Sequence, residues 1–198
     1  MHTGGLLAAV LALGLTGQAG AEVREHKGYE GPPYRVEAAE GAVELRRYDA
    51  HLVAEVSVAG SRSGAANTGF RRLAGFIFGG NAAGEKIAMT SPVTQTAPQA
   101  GGPWVVRFAM PARFDAATLP RPDDPAVRIV TVPGGRMLAL RFSGMPGDAA
   151  LAAREAEARA AAAGMGLRVT GPAVLAFYDS PFTLPNRRRN EVLLPVAD

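Results

Sequence analysis

Between Gly69 and Val93 the sequence reads GFRRLAGFIFGGNAAGEKIAMTSPV, and this run constrains the fold more than any other. Phe70, Leu73, Ala74 and Ile77 recur at the spacing of one apolar helical face, which predicts a helix over about 63–78. Gly79-Gly80-Asn81 then stops it, because these residues accept the positive φ that a helix end asks for. A strand is expected immediately afterwards, over about 86–95 and broken at Pro92, since proline gives no N–H to a ladder. A helix that turns tightly into a strand lies back against the sheet that strand joins. The chain is thereby restricted to architectures that pack helix on sheet.

The remaining segments supply the partners. Val43, Leu45 and Arg47 alternate with Glu44, Arg46 and Tyr48, and Leu52, Ala54, Val56 and Val58 line one face of the next strand. That places His51 on the opposite, solvent-facing side. Another strand is predicted at 103–110, after a Pro/Gly-rich turn. The second half restates the order: strands at 126–132 and 136–143 flank Pro133-Gly134-Gly135, then comes a helix over about 147–163. Asp148 is its expected N-cap, and Gly164 and Gly166 stop it. Strands at 173–179 and 191–196 complete the series. Strand–strand–helix–strand–strand, twice, predicts a duplicated ββαββ unit. The expected class is α+β, a curved and barrel-like antiparallel sheet with two flanking helices. The second helix, DAALAAREAEARAAAAG, is Ala-rich enough to approach the sheet closely, leaving Arg154, Glu155, Glu157 and Arg159 to water.

At the N-terminus, Leu6–Leu15 form an apolar run too short to span a bilayer comfortably. Ala19-Gly20-Ala21 then fits the small-x-small pattern of signal-peptide cleavage before Glu22. The organisation read from this is a signal peptide over 1–21, a polar lead-in over 22–33, and one domain over 34–197. A periplasmic or secreted location is expected, without stable membrane insertion after cleavage. The chain has no cysteine, which excludes disulfides, thiol chemistry and Cys-metal sites. Its net charge of +3 comes from arginines spread along the chain, with Lys27 and Lys86 the only lysines, a pattern that argues against nucleic-acid binding.

Several separated motifs occur in order: the 69–93 run, ValGluLeuArgArgTyr at 43–48, ArgPheSerGly at 141–144, TyrAspSerPro at 178–181 and ArgArgAsnGluVal at 188–192. Together they resemble the SOUL/heme-binding protein family over about residues 29–196. The resemblance implies the fold already outlined and reversible binding of heme or a related tetrapyrrole, as a carrier or buffer. An enzyme acting on a tetrapyrrole or other hydrophobic small molecule in the same pocket is the alternative, and a ligand-free interaction domain is a further one.

Catalysis finds few players. His26 and His51 are the only histidines after the apolar run, and no motif pairs a nucleophile or metal with a base at fixed spacing. Glu85 and Glu191 stand at predicted strand starts, where pairing with Lys86, Arg188 or Arg189 accounts for them. No catalytic and no metal residues are assigned. A tetrapyrrole needs a broad apolar slot and cations for its carboxylates. Phe70, Leu73, Phe76 and Ile77 offer the slot, and Arg71 and Arg72 its rim. Phe182 and Leu184 of the 179–186 loop could close it. The family places its contacts at this helix and at the loop before the last strand, which makes Arg72 the implied propionate partner. Two departures speak against iron ligation. Arg47 stands where some members carry histidine, Thr183 where some carry lysine, and a guanidinium cannot ligate iron. Met89, Met110, Met137 and Tyr178 remain as weak candidates.

Overall fold

A computed structural model describes residues 21–97 and 101–198. Strands β1 (Glu25–His26), β2 (Tyr29–Glu30), β3 (Tyr34–Glu40), β4 (Val43–Tyr48) and β5 (His51–Val58) lead into helix α1 (Arg62–Ile77). Strands β6 (Val93–Thr96), β7 (Trp104–Ala109), β8 (Arg128–Val132) and β9 (Gly135–Phe142) precede helix α2 (Asp148–Gly164), and β10 (Val174–Phe177) and β11 (Asn190–Val196) finish the fold. Strands β3 to β11 form one antiparallel sheet in the order β3-β4-β9-β11-β10-β6-β7-β5-β8, and β1 and β2 make a separate hairpin. The α+β class is as expected, but β3 and β8 stand at opposite edges and do not pair with each other. The sheet is therefore open and not closed into a barrel.

Both helices lie on one face of the sheet, α1 on β5 and β7, α2 on β9 and β11. Ser61 caps α1 by accepting the Gly64 N–H, and Gly79 (φ 113°) ends it as its sequence predicts. Leu73, Phe76 and Ile77 pack with Val56, Val106 and Phe108 into one core cluster. Gly69 lets α1 approach β7, since a Cβ there would sit 2.7 Å from Val106. Under α2, Ala158 and Ala162 are fully buried against Leu138, Leu140, Val192 and Leu194. Its outer Arg154–Glu157 and Arg159–Glu155 pairs face water as expected. The α2 N-cap is Gly147 rather than Asp148, whose carboxylate instead accepts from Arg62.

One expectation fails in an instructive way. The strand predicted over 86–95 shrinks to β6, because residues 86–92 bond irregularly: Phe78 bridges Lys86, and Ser91 N–H donates to Glu30. Proline at 92 breaks the ladder that would have extended β6 backwards. The lead-in, in turn, is structured. It forms the β1–β2 hairpin around Lys27 (φ 52°) and Gly28 (φ 81°), and Glu22 pairs with Tyr34. Among the described residues no helix is long and apolar enough to cross a membrane.

Candidate functional site: a cleft beside helix α1

Where β6 and β10 pair at the middle of the sheet, neither helix fully covers them. A cleft of about 730 Å³ opens there, within the size range of small-molecule sites. Phe70 of α1, Val93 of β6 and Phe177 of β10 form its apolar walls, and Pro146 and Pro181 close it from two loops. Strand pairing explains the floor: Phe177 is in register with both Val93 and Asn190, so their side chains share the helix face. Gln95, two residues after Val93, joins them there.

Three arginines border the cleft, each in a different state. Arg62 is held by Asp148 and by the Pro146 carbonyl (2.9 Å). Arg188 donates to the carbonyls of Thr183 (2.8 Å) and Pro181, so it organises the loop it belongs to. Arg71 has no hydrogen bond or ion pair among the described residues. Its guanidinium is therefore open to the cleft.

The sequence-predicted site residues divide accordingly. Phe70 and Arg71 line the cleft. Leu73, Phe76 and Ile77 are buried in the core beneath α1 and present no surface to it. Arg72 points elsewhere and pairs with Asp124 (3.2 Å). Phe182 and Leu184 are exposed on the loop that includes Pro181 but do not line the cleft. Sequence reasoning missed Val93, Phe177, Asn190 and Pro146. Only the pairing of β6 with β10 brings these together, and nothing local to either strand announces it.

Among the described residues no histidine, cysteine, methionine, lysine or tyrosine lines the cleft, and the carboxylate in its walls, Asp179, is engaged by His26, Lys27 and the Arg189 N–H. Among the described residues no group of three or more His, Cys, Asp or Glu side chains is placed to hold a metal. His51 bonds to the Asp49 carbonyl (3.0 Å), and burial lowers its pKa. Met110 is core, and Tyr178 is committed to Glu191. The cleft thus joins apolar walls to a cationic rim, a combination suited to a flat apolar ligand that carries a carboxylate.

The opposite face of the sheet holds a second constellation. Glu191 is fully buried and accepts from Arg46 (2.7 and 3.0 Å), Arg189 (2.7 and 2.9 Å) and Tyr178 (2.7 Å). Arg46 also donates to Glu44 (2.7 Å) and Tyr48 (3.2 Å) and stacks over Tyr34, while Arg189 stacks over Tyr178. Burial alone would raise the Glu191 pKa, but Arg46 first, with Arg189 and Tyr178, holds it below the usual carboxylate range. Burial pushes both Tyr48 and Tyr178 up, so they stay protonated donors or acceptors. The β1–β2 hairpin covers this cluster, leaving about 20 Å³, room for a single water. The hairpin is anchored by Asp179, which His26 (3.1 Å) and Lys27 both reach. Glu85 sits apart on the surface and pairs with Arg113 (3.3 Å).

Comparison with known proteins agrees with this fold. The model of the SOUL heme-binding protein family matches residues 29–195, and the chain belongs to that family. No curated protein is similar enough in sequence to count as a relative. Solved structures share the fold. An uncharacterized conserved protein from Listeria innocua is 13% identical with a TM-score of 0.60, covering 78% of this chain and 92% of that one. The C-terminal domain of EcmrR is 10% identical with a TM-score of 0.55, covering 83% and 98%. A hydrolase from Listeria innocua is 13% identical with a TM-score of 0.54, covering 81% and 94%.

Proposed function

We propose that this protein binds heme or a related tetrapyrrole reversibly in the cleft beside α1, as a carrier or buffer rather than a catalyst. The observation that carries this reading is the cleft itself, with apolar walls of Phe70, Val93 and Phe177 and, at its rim, an Arg71 without a partner among the described residues. Burying roughly 300 Å² of apolar ring at about 25 cal/mol/Å² gives a gross ~7–8 kcal/mol. Association costs consume a good part of that, so affinity on the order of micromolar follows. With no histidine, cysteine, methionine or tyrosine in the walls among the described residues, and Asp179 already engaged, the ring and its carboxylates govern binding and the metal contributes little. The porphyrin lies against Phe70 and Phe177 and directs a propionate to Arg71.

Titration with hemin and with metal-free protoporphyrin tests this. Both should bind within about tenfold of one another, about 1.4 kcal/mol. If neither binds, the domain is an interaction module. If heme is consumed with turnover in the presence of a reductant, it is an enzyme.

Two further readings belong to the same proposal. Residues 1–20 lie outside the described part of the structure, and Ala19-Gly20-Ala21 supports cleavage before Glu22 and a periplasmic or secreted location. N-terminal sequencing of the mature chain should begin at or near Glu22. The chain also reads as a duplicated ββαββ unit. In support, β5-β7-β6 and β9-β11-β10 run in matching order from the two sides of the sheet toward its centre.

A further inference from the structure

The loops at one end of the sheet carry an unusual combination of side chains. Phe182 is 94% exposed, Met145 61% and Leu184 59%. Single exposed apolar residues are ordinary, but these three sit on two loops that are bonded together. Gly144 N–H donates to the Pro185 carbonyl (2.9 Å), and Asn190 donates to the Gly144 carbonyl (3.1 Å). Immediately behind them lies an open basin lined by Lys27, Arg141, Arg187 and Arg188, with no carboxylate in its walls. Lys27 is engaged by Asp179, whereas Arg141 and Arg187 have no side-chain partner among the described residues. Arg141 and Arg187 are thus not neutralised among the described residues, and the apolar side chains stand exposed on the two loops.

We propose that this end of the molecule docks reversibly on an anionic lipid bilayer. Phe182, Leu184 and Met145 enter the interfacial layer, and Arg141 and Arg187 meet the lipid phosphates. Two properties favour a bilayer over a folded protein partner. Exposed apolar side chains on two adjoining loops match a deformable interface, and two arginines without a side-chain partner among the described residues complement a negative surface potential. Docking involves side chains of the two loops together with Arg141 at the end of β9, and needs no membrane-spanning element. It also has a geometric consequence: Pro146, Pro181 and Arg188 belong to these loops and to the cleft wall, so a docked molecule holds its cleft next to the headgroups. The docking itself does not depend on what the cleft binds.

Vesicle sedimentation of the full chain tests the proposal, and the N-terminal apolar run, common to every variant, cancels in the comparison. Phosphatidylcholine vesicles containing about 30 mol% phosphatidylglycerol should bind the protein more tightly than phosphatidylcholine alone. Arg141→Ser with Arg187→Ser should weaken that binding about fivefold per charge removed. Phe182→Ser with Leu184→Ser should weaken it about tenfold, with an unchanged melting transition because both side chains are exposed. A local readout guards against a variant that folds poorly. The fluorescence of Phe182→Trp, measured against the single native Trp104, should blue-shift on the anionic vesicles. Partition unaffected by the loop variants, or fluorescence of the Phe182→Trp variant that stays unshifted, overturns the proposal. A shift produced by polyglutamate but not by vesicles overturns it in favour of an acidic protein partner.

Discussion

On the face of the sheet away from the helices, Arg46 and Arg189 close around Glu191, and every polar atom of that carboxylate is taken. On the helix face, Arg71 stands beside Phe70 and Phe177 with no partner among the described residues. Both regions combine arginine with aromatic rings, yet one is complete and the other is open. The difference separates architecture from binding. A buried carboxylate with its hydrogen bonds filled fixes how strands β4 and β11 sit across the sheet, whereas an unpaired cation at the mouth of an apolar cleft is available to something else.

The comparison breaks most sharply at Glu191. Glu191→Ala strands two arginines, one of them fully buried, and should cost about 3–5 kcal/mol in denaturant unfolding. If instead Glu191→Ala left stability intact and abolished porphyrin binding, the assignment of the two faces would be reversed. Next comes acid. Asp179 is held at about 2: burial raises it, but the Arg189 N–H, Lys27 and His26 lower it further. Its folded pKa lies below the unfolded value of about 3.9, so the stabilisation is fully present above that value and lost as pH falls toward 2. The loss should reach about 2 kcal/mol, and Asp179→Asn should flatten the stability profile between roughly pH 5 and pH 2.

The smaller effects concern the cleft. Arg71→Ala should weaken hemin and protoporphyrin alike, by about tenfold, as loss of a charge-assisted hydrogen bond at a partly exposed site. Arg72→Ala should change either affinity less than about twofold, since Arg72 is paired with Asp124 outside the cleft. A reversed ranking would restore Arg72 as the propionate partner. Smallest of all, His51→Ala should leave the Soret band of the hemin complex in place, because His51 does not line the cleft.

Much of the architecture was legible. The helical spacing of Leu73 and Ile77 marks residues that are buried, and Gly79-Gly80-Asn81 ends α1 where the sequence says it must. Asn81 shows why: its side chain bonds the Phe76 and Glu85 carbonyls and the Ala83 and Glu85 amides, tying the helix end to the next loop. The same spacing does not say which of these residues line the cleft. A helix in contact with a sheet buries the centre of its apolar stripe and leaves only its margin for a ligand, so Phe70 and Arg71 reach the cleft while Phe76 does not. Arg46 was less legible still. In VELRRY it alternates like a solvent-facing residue, and its partner Glu191 lies far along the chain on a strand that β9 separates from β4. Period-two alternation reports which residues share a face, not what covers that face. Here the β1–β2 hairpin covers it, formed from a segment whose composition reads as a loop.

That hairpin imposes an order of events. Glu22 N–H donates to the Tyr34 carbonyl (3.3 Å) and the Tyr34 N–H donates back to Glu22 (3.1 Å), so the residue after the proposed cleavage point is already stitched into the fold. A protease needs that stretch extended and unpaired in its own groove. Cleavage at Ala21, as proposed, would therefore compete in time with the docking of this segment. A chain that folded first would hold that stretch in a paired strand, and a chain cut first would pair its new end behind the cut.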